Sequence, residues 1–210
     1  MTQKPPFSWN RIMGLRAECF AKFGNVLDIP MRAPMDVLPT LLFSGATVLD
    51  IGAGAHKPFE KAVTSAAATY YSMDTDPQGT FDFQSFQDMT SDLLLDVILA
   101  NQVIEHLTPE QAFEMAQAAF SHLKQGGVIM ATVPNAAHPV RQRDFTHKTP
   151  WPANDLYSLL TFCGFAVSAL YRYNKTPMTK NPIKRWIVKT VCTEFRVDWC
   201  DSIMAVAAKE

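Results

Sequence analysis

The run Thr47-Val48-Leu49-Asp50-Ile51-Gly52-Ala53-Gly54-Ala55 restricts the fold of this chain more than any other stretch. Its short apolar part, rich in β-branched residues, reads as a buried strand. The strand ends on a carboxylate, and two glycines spaced two apart follow at once. Glycine lets the backbone turn sharply and lets a ligand come close, because no Cβ stands in the way. A carboxylate at that point can accept hydrogen bonds from hydroxyl or ammonium groups. Such a combination suits a nucleoside-bearing ligand lying across the carboxyl ends of a parallel sheet.

Downstream spacing narrows the ligand. A second strand-like run, Thr69–Met73, ends in Asp74, roughly 20 residues on, where an acid meets the ribose in nucleotide-binding units. A dinucleotide fingerprint would need a third glycine at position 57, which is Lys57. Asp50 would also face a diphosphate with like charge. A cationic, phosphate-free nucleoside fits better.

The remaining pattern alternates strand and helix. Helices are expected over 8–24 with Ser8 as cap, 35–42, 58–63, 109–123 behind Thr108, and 154–162. Strands are expected over 47–51, 69–73, 81–86, 97–100, 128–133, 166–173 and 202–208. Asp76–Thr80 leaves no room for a full helix between the second and third strands. The alternation predicts an α/β, doubly wound sheet.

Composition sets outer limits. With 210 residues, 48% hydrophobic and 19% charged, the chain is long enough for one domain with a substantial core. A net charge of -1 provides no overall basic field for nucleic acid. Cys19, Cys163, Cys192 and Cys200 show no paired spacing and read as reduced thiols. The first residues lack an apolar signal region, and no run reaches membrane-spanning length, so a cytoplasmic protein is expected.

Four ordered blocks over residues 46–174 resemble the class I S-adenosylmethionine-dependent methyltransferases, in particular their type-11 and type-23 branch. They are Asp50–Gly54 with Asp74, Asp96–Leu107, Leu123–Asn135, and Asp144–His147 with Cys163–Phe165. The resemblance implies a Rossmann-like, seven-stranded, mostly parallel sheet with an antiparallel last strand, in three αβα layers. It divides the single domain into a helical cap over 1–45, a cofactor-binding core over 46–174, a basic helical insert over 175–196 and a last strand within 197–210. It implies S-adenosylmethionine as cofactor, with Asp50, Gly52 and Gly54 around the methionine part, Asp74 on the ribose and Asn101 closing the pocket. Asp88 and Met89 are the candidates near the adenine, with Gln87 close behind. His56 replaces a further glycine common in the family.

Methyl transfer asks the protein chiefly to align a nucleophile and exclude water. An alcohol acceptor also needs a base near neutrality, and histidine fits. His147 lies on a loop expected to overhang the pocket, and His106 sits beside Glu105; His138 is a weaker candidate and His122 a structural one. Glu105, His106 and His147 carry donors a divalent cation accepts. Some relatives, including small-RNA 2′-O-methyltransferases, hold a metal with E-x-x-E-H, but here the first glutamate is Gln102. The reading adopted is bracing of the loop, with no metal.

The resemblance points to a small-molecule or glycan-type acceptor, methylated at oxygen. Alternatives are a metal-assisted RNA ribose 2′-O-methyltransferase, a small-molecule N-methyltransferase and a non-catalytic cofactor-binding module. Arg172, Lys175, Lys180, Lys184, Arg185, Lys189 and Arg196 face Glu194 as the one acid of their region. Within it Ile183, Trp186, Ile187 and Val191 share a helical face. Residues 180–196 therefore read either as a helix packed on the fold or as a contact for a membrane or an anionic substrate. No motif speaks to oligomeric state.

Overall fold

The computed structural model describes residues 8–139, 144–174, 181–195 and 197–210. Among these, β1 (Thr47–Ile51), β2 (Thr69–Met73), β3 (Leu95–Asn101), β4 (Leu123–Pro134), β5 (Ala166–Tyr173) and β6 (Ser202–Ala208) form one sheet. Its order is β2-β1-β3-β4-β6-β5. β1 pairs in parallel with β2 and β3, and β3 with β4, whereas β6 runs antiparallel between β4 and β5. This is the Rossmann-like doubly wound sheet, with six strands among the described residues where seven are expected.

The missing strand is the one placed at 81–86. Its Asp82 and Phe83 N–H groups both converge on the one Ser72 carbonyl of β2, at 3.0 and 3.1 Å, and no ladder continues from there. Asp82 accepts from the Ser72 N–H at 2.8 Å and the Ser72 hydroxyl at 2.7 Å, and Phe83 makes one isolated bridge to Met73. The next N–H groups, of Gln84 and Ser85, donate to the Asp88 carboxylate at 2.9 and 2.8 Å. A tight turn at Phe86–Asp88 results, and β2 stays at the sheet's edge.

The α-helices among the described residues are α1 (Trp9–Phe23), α2 (Pro34–Val37), α3 (Glu60–Ser65), α4 (Pro109–His122), α5 (Ala153–Phe162) and α6 (Pro182–Phe195), alongside short 3-10 turns. Ser8 caps α1 by accepting from the Arg11 N–H, and Thr108 with Gln111 forms a reciprocal capping box on α4. Alternation along the strands feeds two cores. Leu49, Ile98, Ile129 and Ala205 pack under α1, α4 and α5, while Val48, Leu99, Met130 and Met204 join Val37 and Val63 of α2 and α3. Helices on both faces give the three αβα layers. The Arg16 guanidinium grips Asp155 through two bonds of 2.6 and 2.8 Å, tying α1 to α5. No described helix is long and apolar enough to cross a membrane.

Candidate active site

The chain leaves β1 toward β2 and then crosses back to β3 on β1's other side. A crevice opens where such connections diverge, above the carboxyl ends of the strands. Gly52 and Gly54 turn the backbone there, with φ of +66° and +59°. Gly52 donates its N–H to the Met73 carbonyl at 2.8 Å, and a Cβ on it would run into Val103 Cγ2. A Cβ on Gly54 would meet nothing within 4 Å, so its backbone borders open space. Asp74, at the tip of β2, accepts from the Gly54 N–H at 2.8 Å and the Asp76 N–H at 3.0 Å. Its two oxygens keep lone pairs for further donors.

These turns border a cavity of about 570 Å³ whose walls include Gly52, Asp74, Ser85, Gln87, Gln102 and His106, with apolar surface from Phe86, Leu107 and Met115. That volume suits a nucleoside-sized ligand. The cradle is shaped for close approach, and the Asp74 carboxylate on its wall is held by two amides. The residues present fit a sulfonium nucleoside and offer no phosphate cradle.

Other predicted contacts lie elsewhere. Asp50 sits beneath the cradle, 1% exposed, and accepts from the Tyr70 hydroxyl at 2.8 Å. Burial pushes its carboxyl up to about 7; the Tyr70 bond opposes that shift and the nearby Asp74 charge adds to it. Asp88 is exposed and capped by the Gln84 and Ser85 amides, which hold it below the usual carboxylate range. Met89 is buried in the core. Neither lines the cavity; Ser85 and Gln87 do. Ser85-x-x-Asp88 is itself a capping pattern, and reading it so would have committed Asp88 to its own turn. Asn101 accepts from the Thr132 hydroxyl at 2.8 Å, outside the cavity walls. The next residue, Gln102, lines the cleft instead. It takes the left-handed φ of +58° and is held by Thr132 through its N–H at 3.1 Å and its amide at 3.2 Å. Non-glycine residues in that region gather at functional sites.

At the far side of the cleft the turn 104–107 meets the loop after position 143. Lys148 and Thr149 donate their N–H groups to the Glu105 carbonyl, Thr149 Oγ1 to Leu107 O and Trp151 Nε1 to Ile104 O. This clip brings His147 against His106, ring centroids 4.9 Å apart and planes at 77°. Thr146 gives its one hydroxyl hydrogen to Asp144 at 2.6 Å and meets His106 Nδ1 at 3.0 Å. His106 must therefore donate from Nδ1, which leaves Nε2 as the basic nitrogen. The Thr146 hydroxyl and N–H keep Asp144 below the usual carboxylate range, and His147 Nε2 stands 3.7 Å from the same carboxylate. Glu105 is 2% exposed. Donor atoms of Glu105, His106 and His147 all lie within 4.8 Å of one another, a set able to hold a divalent cation. His138 lies 4.0 Å from Asp201 and edge-on to Trp199, and His122 bonds the Ala118 carbonyl within α4; neither lines the cleft.

A doubly wound sheet with this glycine turn after β1 and an acid at the tip of β2 is, with the family match below, that of a Rossmann-like, S-adenosylmethionine-dependent methyltransferase. Residues 24–169 match the type-23 methyltransferase domain model, and the chain belongs to that family. S-adenosylmethionine is its cofactor. No curated protein gives a significant match. Among solved structures, a SAM-dependent methyltransferase from Archaeoglobus fulgidus is similar at 19% identity, covering 92% of this chain and 99% of that one, with a TM-score of 0.64. Another from Methanosarcina mazei shares 13% identity over 85% of this chain and 98% of that one, TM-score 0.59. The [4+2]-cyclase SpnF shares 15% identity over 99% of this chain and 84% of its own, also TM-score 0.59. Likeness at this level establishes the fold, and the fold alone does not choose the acceptor.

Proposed function

We propose that the protein methylates a hydroxyl of a small-molecule or glycan-type acceptor, with His106 as general base. The relay from Asp144 through Thr146 to His106 carries this reading, because it engages Nδ1 of an imidazole that lines the cleft and leaves the proton-accepting role to Nε2. S-adenosylmethionine brings a methyl group already activated on a sulfonium, so proton removal from the acceptor is what the protein must add. Asp74, Gly52 and Gly54 hold the cofactor, and Gln102 and Val103 shape the wall between it and the histidines. His106 Nε2 would take the acceptor's proton as the acceptor oxygen bonds to the methyl carbon and the S–CH3 bond breaks, the cofactor leaving as its neutral thioether. The buried Glu105 carboxylate favours the resulting imidazolium, and His147 packs edge-on to keep the ring in place. Phe145, 99% exposed on the same loop, offers an uncovered aromatic face for the acceptor.

A second reading uses the same three side chains as ligands. A divalent cation between Glu105, His106 and His147 would bind the acceptor oxygen and lower its pKa, as metal-assisted methylation requires. The grouping of their donor atoms favours it. N-methylation would need no base of this kind. The four cysteines are free and buried, which supports action in a reducing compartment such as the cytoplasm.

The deciding experiment supplies methyl-labelled S-adenosylmethionine and a metabolite extract, with and without chelator. Base catalysis predicts labelled, hydroxyl-linked product that survives chelation and fails with His106→Asn. Loss of all label on chelation selects the metal. Label on amines, undisturbed by the histidine substitution, removes the proposal.

A further inference from the structure

The basic segment separates two faces of α6. Its inner side is narrow: Cys192 is 4% exposed, Val188 is half-buried, and beside them a cavity of about 360 Å³ is bordered by Met31, Arg172 and Trp199 and, from α6 itself, by the edges of Arg185, Trp186 and Lys189. The other side is a stripe of large apolar residues turned to solvent. Ile183 is 68%, Trp186 67%, Ile187 48% and Val191 38% exposed. At 3.6 residues per turn these four share one face, with Lys184 along one border and Lys189 along the other; the exposed Glu194 falls within it, and Arg185 lies on the inner side beside Cys192. The expected packing of this apolar face onto the fold is thus not what the structure shows.

Topology fixes where the stripe sits. α6 connects the carboxyl end of β5 to the start of β6. The chain leaving it is anchored to the segment after β4: Asn135 Nδ2 donates to Asp198 at 2.8 Å and to the Cys200 carbonyl at 3.0 Å, and Asp198 N–H donates to Ala137 O at 3.0 Å. Arg172, mostly buried, bridges Asp198 at 3.1 Å to the carbonyls of Leu27 and Ile29. The stripe therefore stands at the edge of the sheet that carries the cofactor cleft.

We propose that α6 is an interfacial helix that docks this edge of the protein on an anionic membrane surface. Isoleucine and valine would enter the boundary of the acyl chains, Trp186 would sit at headgroup depth, and the flanking lysines would extend outward to lipid phosphates. The charge pattern chooses this occupant over a second copy of the chain. Two such faces brought together would set Lys184 and Lys189 against their own kind. An anionic lipid sheet complements every one of them. The inference stands independently of the methyl acceptor, because it is read from binding and needs no turnover.

Sedimentation with vesicles tests it, using equal parts of anionic phosphatidylglycerol and zwitterionic phosphatidylcholine beside vesicles of phosphatidylcholine alone. The unmodified protein is expected to pellet with the anionic vesicles at low salt and to be released by about 0.5 M salt, where the screening length falls to a few ångströms. Lys184→Glu with Lys189→Glu should lower partitioning at least tenfold, at about fivefold per charge. Trp186→Ala with Ile187→Ala should lower it at low salt as well. All four substituted positions are exposed, so melting temperature and cofactor affinity report that the variants remain folded. Failure to pellet, equal binding to both vesicle types, or wild-type binding by both variants overturns the proposal. So does self-association lost with Trp186→Ala, which would give the stripe to a second copy.

Discussion

The Gly54 amide donates to the Asp74 carboxylate across 2.8 Å, so the turn after β1 aims the acid at the tip of β2. Asp74→Ala removes the ribose acceptor, and a charge-assisted hydrogen bond is worth about 1.5–3 kcal/mol. Affinity for S-adenosylmethionine should fall about 10- to 150-fold by titration calorimetry. Stability without cofactor should fall by about 1–2 kcal/mol, because the Gly54 and Asp76 amides lose their acceptor; Asp74→Asn, which keeps an acceptor oxygen, should lose less stability.

Gly52→Ala tests the cradle from the other side. The new Cβ meets Val103 Cγ2 at a backbone φ of +66°, so contact and conformation oppose it together. A loss of about 1–3 kcal/mol in stability is expected by denaturant unfolding, with weakened cofactor binding. Adding Val103→Ala should restore the part due to contact and leave the part due to φ. A double variant no better than the single would show that Val103 does not set the spacing.

His106→Asn should slow turnover by about 10²–10⁴-fold while the cofactor dissociation constant stays put. Thr146→Val should have a smaller effect in the same direction, since it frees the ring to take the wrong tautomer. Single-turnover rates paired with binding titrations separate these outcomes from a general loss of structure.

Asp50 predicts a pH effect whose sign is set by burial. Its carboxyl is raised to about 7 in the folded protein from an ordinary 3.8, so the folded state binds a proton more than the unfolded state does between those values. Its contribution is fully present below about pH 4 and is lost as pH rises to about 7, at up to about 1.4 kcal/mol per pH unit. Asp50→Asn keeps an oxygen for the Tyr70 hydroxyl and cannot ionise. Measured without cofactor, the variant should gain on the parent through that window and exceed it at pH 8 by on the order of 2–4 kcal/mol. A constant difference between the two proteins from pH 5 to 8 would refute the assignment.

The sequence shows most clearly the elements whose signals are local. Apolar runs mark β1, β2, β5 and β6 almost to the residue, and the Thr108 and Ser8 caps mark their helices. The strand expected at 81–86 misled because alternating Phe81, Phe83 and Phe86 look like a pleat, whereas Asp82 and Asp88 capture the backbone donors that a strand needs. Within the site, Gly52 and Asp74 are legible because their roles depend on position after a strand. Asn101 and Gln102 differ only in which side of the strand tip they face, and the left-handed turn at Gln102 reverses that choice. The meeting of His106 with His147 depends on the clip between two distant loops, which no spacing reveals. Composition gave α6 its basic and apolar faces, but not which of them would be left uncovered.

The position of β6 between β4 and β5 has a consequence for biosynthesis. β5 leaves the ribosome with no neighbour to pair with, and β4 waits with one edge open, until the residues from Ser202 onward emerge. The strands under the nucleoside cradle, β1 and β3, have all their partners once β4 has emerged. Nascent chains arrested before residue 202 are therefore expected to hold a formed cofactor cradle beside an unfinished sheet, and to need chaperone cover on that open edge alone.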